Sequence, residues 1–418
     1  MPFDVASVRA HFPALAEGAA FFDGPGGSQV PDVVGRAVAD TLTSAISNRG
    51  TVTPSERRAD AVVAAFRSAY ADFLGVDARG VVHGRSSTAL AYDVGRAVAK
   101  QWAPGDEVVV TRLDHDSNIR PWVQLAEAAG ATVRWVDFDP ATGELQPDDV
   151  AAVLSERTRL VATTAASNLI GTRPPVHQIA DLAHEVGALY WVDGVHATAH
   201  ASVDLGALHA DVWTCSPYKF MGPHCGVLAA DPALLETLHP DKLLPSTDSV
   251  PERFELGTLP YEVMAGATAA VDFIASLADL GGEADGSADG TASGSSDATT
   301  GRRARIERGM AAVHGHEQAL LGVLEPALRD LPGVTVHSNA QARTPTLLFT
   351  VEGRDPQEIR AGLAEGGVNA PAGHFYALEC SRRLGLGDSG GVRLGLAPYT
   401  NEDDVDRLLT GLRGILGA

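Results

Sequence analysis

The 418-residue sequence predicts an α/β protein, with a large, doubly wound, mostly parallel sheet and a smaller α+β C-terminal domain. Three observations carry this. From about residue 80, short β-branched runs alternate with helical patterns of 10 to 15 residues. Such alternation with short connections means a parallel sheet covered by helices on both faces. Around residue 260 the rhythm changes to long helices and a few strands. The chain is also longer than one core usually supports.

Taken in order, the apolar runs are "GVVHG", "DEVVVTR", "TVRWVDF", "RLVATTAAS", "ALYWVDG", "DVWTCS" and "GVLAA". Between them lie "NIRPWVQLAEAAG", "PDDVAAVLSE" and "PPVHQIADLAHEVG", whose apolar residues recur at spacings of three and four, the period of a helix face. "YEVMAGATAAVDFIASLADL" reads as one long helix. The tract 281–301 holds only Gly, Ala, Ser, Thr, Asp and Glu. It lacks the apolar surface to order itself and reads as a flexible insertion. Beyond it come a helix, "RRARIERGMAAVHGHEQALLGVLEPAL", and the strands "VTVHS" and "TLLFTVEG". The expected organisation is a segment 1–20 packing on the small domain, a large domain 21–260 and a small domain 261–418.

Composition narrows the function classes. A net charge of −21 without any basic cluster argues against a nucleic-acid partner. The opening "MPFDVASVRAHFPAL" has no basic segment ahead of an apolar run, so it carries no secretory pattern. No apolar stretch of about 18 residues exists to span a membrane. Cysteines at 215, 225 and 380 form neither a disulfide framework nor zinc-ligand spacing. A reducing cytoplasm and no metal are expected.

The chain has three lysines, and Lys219 stands in "TCSPYKFMGPHCG" just after a strand. Asp193 ends the preceding strand. In open α/β sheets, ligands bind outside the carboxyl ends of the strands. A lysine and a carboxylate on neighbouring strand ends suit pyridoxal 5'-phosphate (PLP): the amine links to the cofactor and the carboxylate stabilises its protonated ring nitrogen. Arginine cannot replace the lysine, because its guanidinium stays protonated. A turn-capping aspartate and a surface lysine would explain the pair equally well on their own. Other strand ends add to it. "VVHGRSSTAL" leads into a helix whose free N–H groups suit a phosphate, with Ser87 and Thr88 as hydroxyl donors. His115 follows another strand, where its ring could stack on a pyridine. Asn168 and His196 stand at strand ends where each could meet the cofactor's phenolic oxygen.

The stretch "VDGVHATAHASVDLGALHADVWTCSPYKFMGP" resembles the cofactor segment of group II cysteine desulfurases and selenocysteine lyases. These are class V aminotransferases among the fold type I PLP enzymes. "LDHDSNIRPW", "ASNLIGT", "RFELGT" and "EDDVDRLLTGL" match in the same order, over nearly the whole chain. The resemblance implies Lys219 as the Schiff-base lysine, Asp193 on the ring nitrogen and His115 stacked on the ring. It places Asn168 and His196 near the phenolic oxygen, His196 standing where these enzymes usually have glutamine. Ser87, Thr88 and Ser216 match phosphate contacts, and Tyr218 replaces the usual histidine beside the lysine. Thr258, in "RFELGT", matches a segment that serves the partner's phosphate in a homodimer with shared sites. Arg393 matches the arginine that holds the substrate carboxylate, Arg49 an active-site loop arginine, and His374 a residue of the mobile loop.

One departure matters. The family's persulfide-forming cysteine is expected in the run "APAGHFYALEC", where Gly373 and His374 remain but Tyr376 stands at the nucleophile's position. A phenol with a pKa near 10 cannot replace a thiolate as sulfur acceptor. Cys380 lies one helical turn further, too far to be taken as a substitute. The expected activity is lyase chemistry at Cβ of a cysteine-like amino acid without a persulfide, with Tyr376 as a catalytic acid. Epimerisation or transamination of another amino acid is the alternative, and an inactive binding protein a remoter one.

Overall fold

The computed structural model describes residues 3–280 and 301–417. The insertion expected at 281–301 therefore lies outside the described residues, apart from Gly301, which caps the helix Arg302–Arg329.

All seven apolar runs form one sheet. Its strands are β1 (Val81–Gly84), β2 (Glu107–Thr111), β3 (Thr132–Val136), β4 (Thr158–Thr164), β5 (Leu189–Asp193), β6 (Val212–Cys215) and β7 (Gly226–Ala230). They lie in the order β1-β7-β6-β5-β4-β2-β3. β7 runs antiparallel to both its neighbours and every other pairing is parallel. The inner strands β2 and β7 are buried at every residue, as helices on both faces require. The edge strand β3 instead exposes alternate residues. Helices Ser87–Ala99, Arg120–Ala129 and Val176–Glu185 supply crossovers. "PDDVAAVLSE" gives only the short helix Pro147–Ala151.

A second, antiparallel sheet belongs to the small domain. It contains β8 (Val334–Val336), β9 (Thr346–Val351), β10 (Ala372–Gly373) and β11 (Gly391–Gly395), in the order β10-β11-β9-β8. Helices Pro356–Glu365 and Glu402–Leu416 cover it, and Leu324, Phe349, Leu363 and Leu408 share its core.

Packing divides the chain later than residue 261. Met264, Val271 and Ile274 of the helix Tyr261–Ser276 are buried in the core of the large sheet, and so are Ile306 and Met310 at the start of the next helix. The second core takes up that helix only from Leu320. The long helix thus belongs to both bodies, because its apolar face changes partner along its length. The N-terminal segment ties to the small domain: Arg9 pairs with Asp404 at 2.7 Å, and Ala20–Phe21 runs parallel to Val368–Asn369. No helix among the described residues is long and apolar enough to cross a membrane.

Candidate active site

At the carboxyl ends of the central strands a cavity of about 620 Å³ opens, lined among others by Pro25, Thr88, His115, Lys219, Tyr376 and Arg393. A narrower recess of about 70 Å³ continues it past Ser87, Asp193, His196 and Ser216.

Backbone geometry sets the recess. The residue after Asp193 has to be glycine, because a Cβ at Gly194 would lie 2.0 Å from the Trp213 indole. Gly226 lets β7 run directly behind the helix start: a Cβ there would lie 2.6 Å from the Ser87 nitrogen. That helix begins at Ser87, with the Ser86 hydroxyl accepting from Ala89 N. Ser87 Oγ donates to the Cys215 carbonyl at 2.9 Å and meets Ser216 Oγ at 2.8 Å. Helix start and β6 end are thereby fixed to each other.

Lys219 closes a single helical turn, Pro217–Lys219, straight after β6. Its amine donates to the Pro25 carbonyl and lies 5.0 Å from the Tyr218 ring centre. Burial, reinforced by the charge of Arg393 and opposed by Asp193, brings its pKa down to about 7. Asp193 is buried, accepts from Val195 N at 2.9 Å, and is raised by burial to about 6. Both groups therefore sit near the midpoint of proton exchange at neutral pH, the setting expected of catalytic groups.

His115 caps the turn Asp116–Asn118, and its Nδ1 accepts from Ser117 N at 3.1 Å. Burial and the charges of Lys219 and Arg393 pull its pKa to about 3, so the ring is neutral. With Nδ1 accepting, the ring proton resides on Nε2. Tyr376 faces this ring with centroids 5.5 Å apart and a tilt of 36°. Phe375 and Tyr376 hold φ of 50° and 59°, a left-handed pair that few side chains adopt. The Tyr376 carbonyl is tied to Asp116 N at 2.7 Å, while its side chain is 71% exposed.

Arg393 reaches the cavity from the middle of β11 and is buried. Its Nη1 donates to the Asn168 carbonyl at 2.9 Å, and its guanidinium lies 3.7 Å over the Phe375 ring. Asn168 Nδ2 donates to the Phe375 carbonyl at 3.0 Å. His196 Nε2 lies 2.9 Å from both Thr344 Oγ1 and Thr346 Oγ1.

Three residues are placed elsewhere. Arg49 does not line the cavity of its own chain: it pairs with Asp60 at 2.8 Å and Glu252 at 3.2 Å, which take up its fork. Thr258 lines a separate cavity together with His83 and His224, so it does not reach the Lys219 of its own chain. His374 does not line the cavity, and its backbone lies beside Gly390. Conversely, Pro25 and Gly26 in "FFDGPGG" complete the wall, and only that Gly/Pro cluster hinted at a shaped loop. Asp114 was also missed. It is fully buried, accepts from Asn118 Nδ2 at 2.7 Å, and is raised to about 8 by burial, with Asp193's charge adding to the shift.

None of the three thiols lines the cavity, and all are buried. Burial pushes Cys225 up to about 12 and raises Cys215 and Cys380 as well. Cys380 lies inside the helix Leu378–Arg383.

Fold and site together define a PLP-dependent enzyme. A family model, Aminotransferase class-V, matches residues 20–281 and 304–408, and the chain belongs to that family. Among its relatives, an uncharacterised protein of Mycobacterium tuberculosis is 32% identical, over 99% of this chain and 100% of the relative. An aminotransferase-like protein of Gibberella zeae is 31% identical over 99% of each chain. A cysteine desulfurase of Klebsiella pneumoniae is 30% identical, also over 99% of each. Of the solved structures, the cysteine desulfurase CsdA of Escherichia coli superposes with a TM-score of 0.84 at 25% identity, covering 100% of this chain and 99% of the other.

The residues present fit the cofactor of the family. Three buried polar atoms at the cavity have no partner in the chain: Asn168 Oδ1, His196 Nδ1 and Arg393 Nε. Because buried polar groups usually find partners, these open positions at the cavity suit a polar bound molecule.

Proposed function

We propose that the chain is a homodimeric PLP-dependent lyase of the cytoplasm that breaks the Cβ–S or Cβ–Se bond of a cysteine-like amino acid without a protein persulfide. The carrying observation is that the low-pKa Lys219 amine and the buried Arg393 guanidinium open into one cavity whose loop presents Tyr376, while every thiol is buried elsewhere.

In this reading, Lys219 holds the cofactor and Asp193 its ring nitrogen, with His115 stacked on the ring. Asn168 and His196 face the phenolic oxygen. The first-turn amides of the Ser87–Ala99 helix, with Ser87, Thr88, Ser216 and Tyr218, take the phosphate. Thr258 serves the partner's phosphate. Bound PLP supplies an electron sink for the pair left on Cα when its proton departs. Arg393 holds the substrate carboxylate through two parallel N–H bonds, and no weaker cation does this as well. Once the substrate's amino group has displaced Lys219 from the cofactor, the freed neutral amine can remove the α-proton, which its lowered pKa allows at neutral pH. Cβ–S cleavage follows, the bonding pair leaving with sulfur, and the Tyr376 hydroxyl donates the proton that the leaving thiolate takes up. Loss of the thiol leaves 2-aminoacrylate, which water hydrolyses after release, so the products are pyruvate, ammonia and a thiol.

Incubation with cysteine, selenocysteine, S-conjugates and sulfoxides, with pyruvate, alanine and sulfide assayed, tests the reading. Pyruvate with ammonia supports it. Alanine formed through a trapped protein persulfide would make the enzyme a desulfurase and sink it.

A further inference from the structure

The helix Val176–Glu185, which links β4 to β5, carries His177 and Asp181 one turn apart, on one face. The turn leading into β6 brings His209 against them. Its Nδ1 lies 2.9 Å from Asp181 Oδ1, while His177 Nδ1 lies 3.4 Å from Asp181 Oδ2. The two imidazole rings are 4.2 Å apart, centre to centre. One ligand atom from each residue falls within 4.8 Å of the others. No arginine or lysine among the described residues pairs with Asp181, so only the imidazoles face its charge. None of the three lines the Lys219 cavity.

We propose that His177, Asp181 and His209 form a divalent-cation site, with zinc as its preferred ion and a fourth position left for water. Two imidazoles and a carboxylate are a zinc donor set. Tetrahedral bonds of about 2.0 Å set neighbouring ligands about 3.3 Å apart; here the two imidazole nitrogens lie 2.9 and 3.4 Å from the two different oxygens of Asp181. The three ligand atoms lie within 4.8 Å of one another, and rotation of the exposed side chains has to close them on the ion. Backbone conformation gives an independent sign. His209 holds φ of 54°, a left-handed cap on the short helix Leu205–Leu208 where glycine is the usual occupant. An L-residue is uncommon there, and here it brings an imidazole against the carboxylate. Seated there, the ion fastens the crossover helix to the turn ahead of β6.

The test uses the cofactor-loaded enzyme, stripped with chelator and dialysed, then titrated calorimetrically with Zn²⁺. Wild type should take up one zinc per chain more than either His209→Gly or His177→Gln. His209→Gly suits the left-handed backbone, and His177→Gln lies on an exposed helix face, so both keep the fold; retained cofactor absorbance checks this. With Co²⁺ in place of zinc, wild type should show the visible bands of a tetrahedral site and both variants should lose them. Equal zinc uptake by wild type and both variants, or a Co²⁺ spectrum that neither substitution changes, overturns the proposal.

Discussion

Lys219 should behave as a neutral amine in water near pH 7. Its pKa of about 7 replaces an ordinary 10.5. At pH 7 half the chains then carry the nucleophilic form, against about one in 3,000 for an ordinary lysine. The perturbation is pH itself, applied to cofactor-free protein mixed rapidly with PLP, and the assay is the rate of covalent linkage followed by visible absorbance. The rate should climb about tenfold per unit up to pH 7 and level off above about pH 8, whereas that of a free alkylamine keeps climbing to about pH 10. Two substitutions should move the break in opposite directions. Asp193→Asn removes the charge that raises the lysine and shifts the break lower, and Arg393→Gln removes the charge that depresses it and shifts the break higher. The same group has a sign in folding. Between about pH 7 and 10.5 the unfolded chain binds the lysine proton and the folded chain does not, so the cofactor-free fold gains stability as pH rises through that window. A linkage rate still rising tenfold per unit at pH 9 would refute the reasoning, since burial would then not be holding the amine neutral.

Other outcomes follow from the same geometry. Lys219→Ala should abolish turnover and borohydride trapping, whereas Lys100→Ala and Lys242→Ala should not, because those amines pair with Asp241 and Asp248 at the surface. Tyr376→Phe should lower kcat by about 10²–10⁴-fold, the usual worth of a positioned acid; under threefold, the phenol only packs. Cys380→Ala and thiol blocking should leave kcat within about twofold of wild type, the cut a packing change allows. Arg393→Lys should reduce kcat/KM about 10- to 150-fold, mostly through KM, since one charged hydrogen bond of a fork is lost. Mixing Lys219→Ala with Thr258→Ala chains should regenerate activity through hybrid dimers; a fully active monomer at high dilution would exclude shared sites.

The seven strands were legible because most are short runs rich in β-branched and aromatic residues bounded by turn residues, and the inner strands of a parallel sheet buried on both faces write themselves that way. Asp193 and Lys219 could be read because strand ends, not distances, bring them together. Asp114 could not: Thr111 and Asn118 are close in sequence, but its burial and the charge of Asp193 come only from the assembled sheet, where β4 lies between β2 and β5. Arg49 was placed by a short match in "SNRGT", while its position is set by Asp60 and Glu252. Glu252 lies two hundred residues away and is invisible to local pattern. The boundary at 261 followed a change of rhythm, but packing divides within the helix Arg302–Arg329, whose apolar face is continuous across both cores.

Arg393 stands on the small sheet and Lys219 on the large one, and the Asn168 carbonyl is the point at which the arginine touches the other body. In the proposed reading, substrate would be gripped by its carboxylate from one half and worked on from the other. That reading predicts that recognition and chemistry melt separately. Mild denaturant that loosens the β8–β11 sheet would erase affinity for amino acids while the large sheet still held its cofactor colour, leaving a yellow protein blind to its substrate.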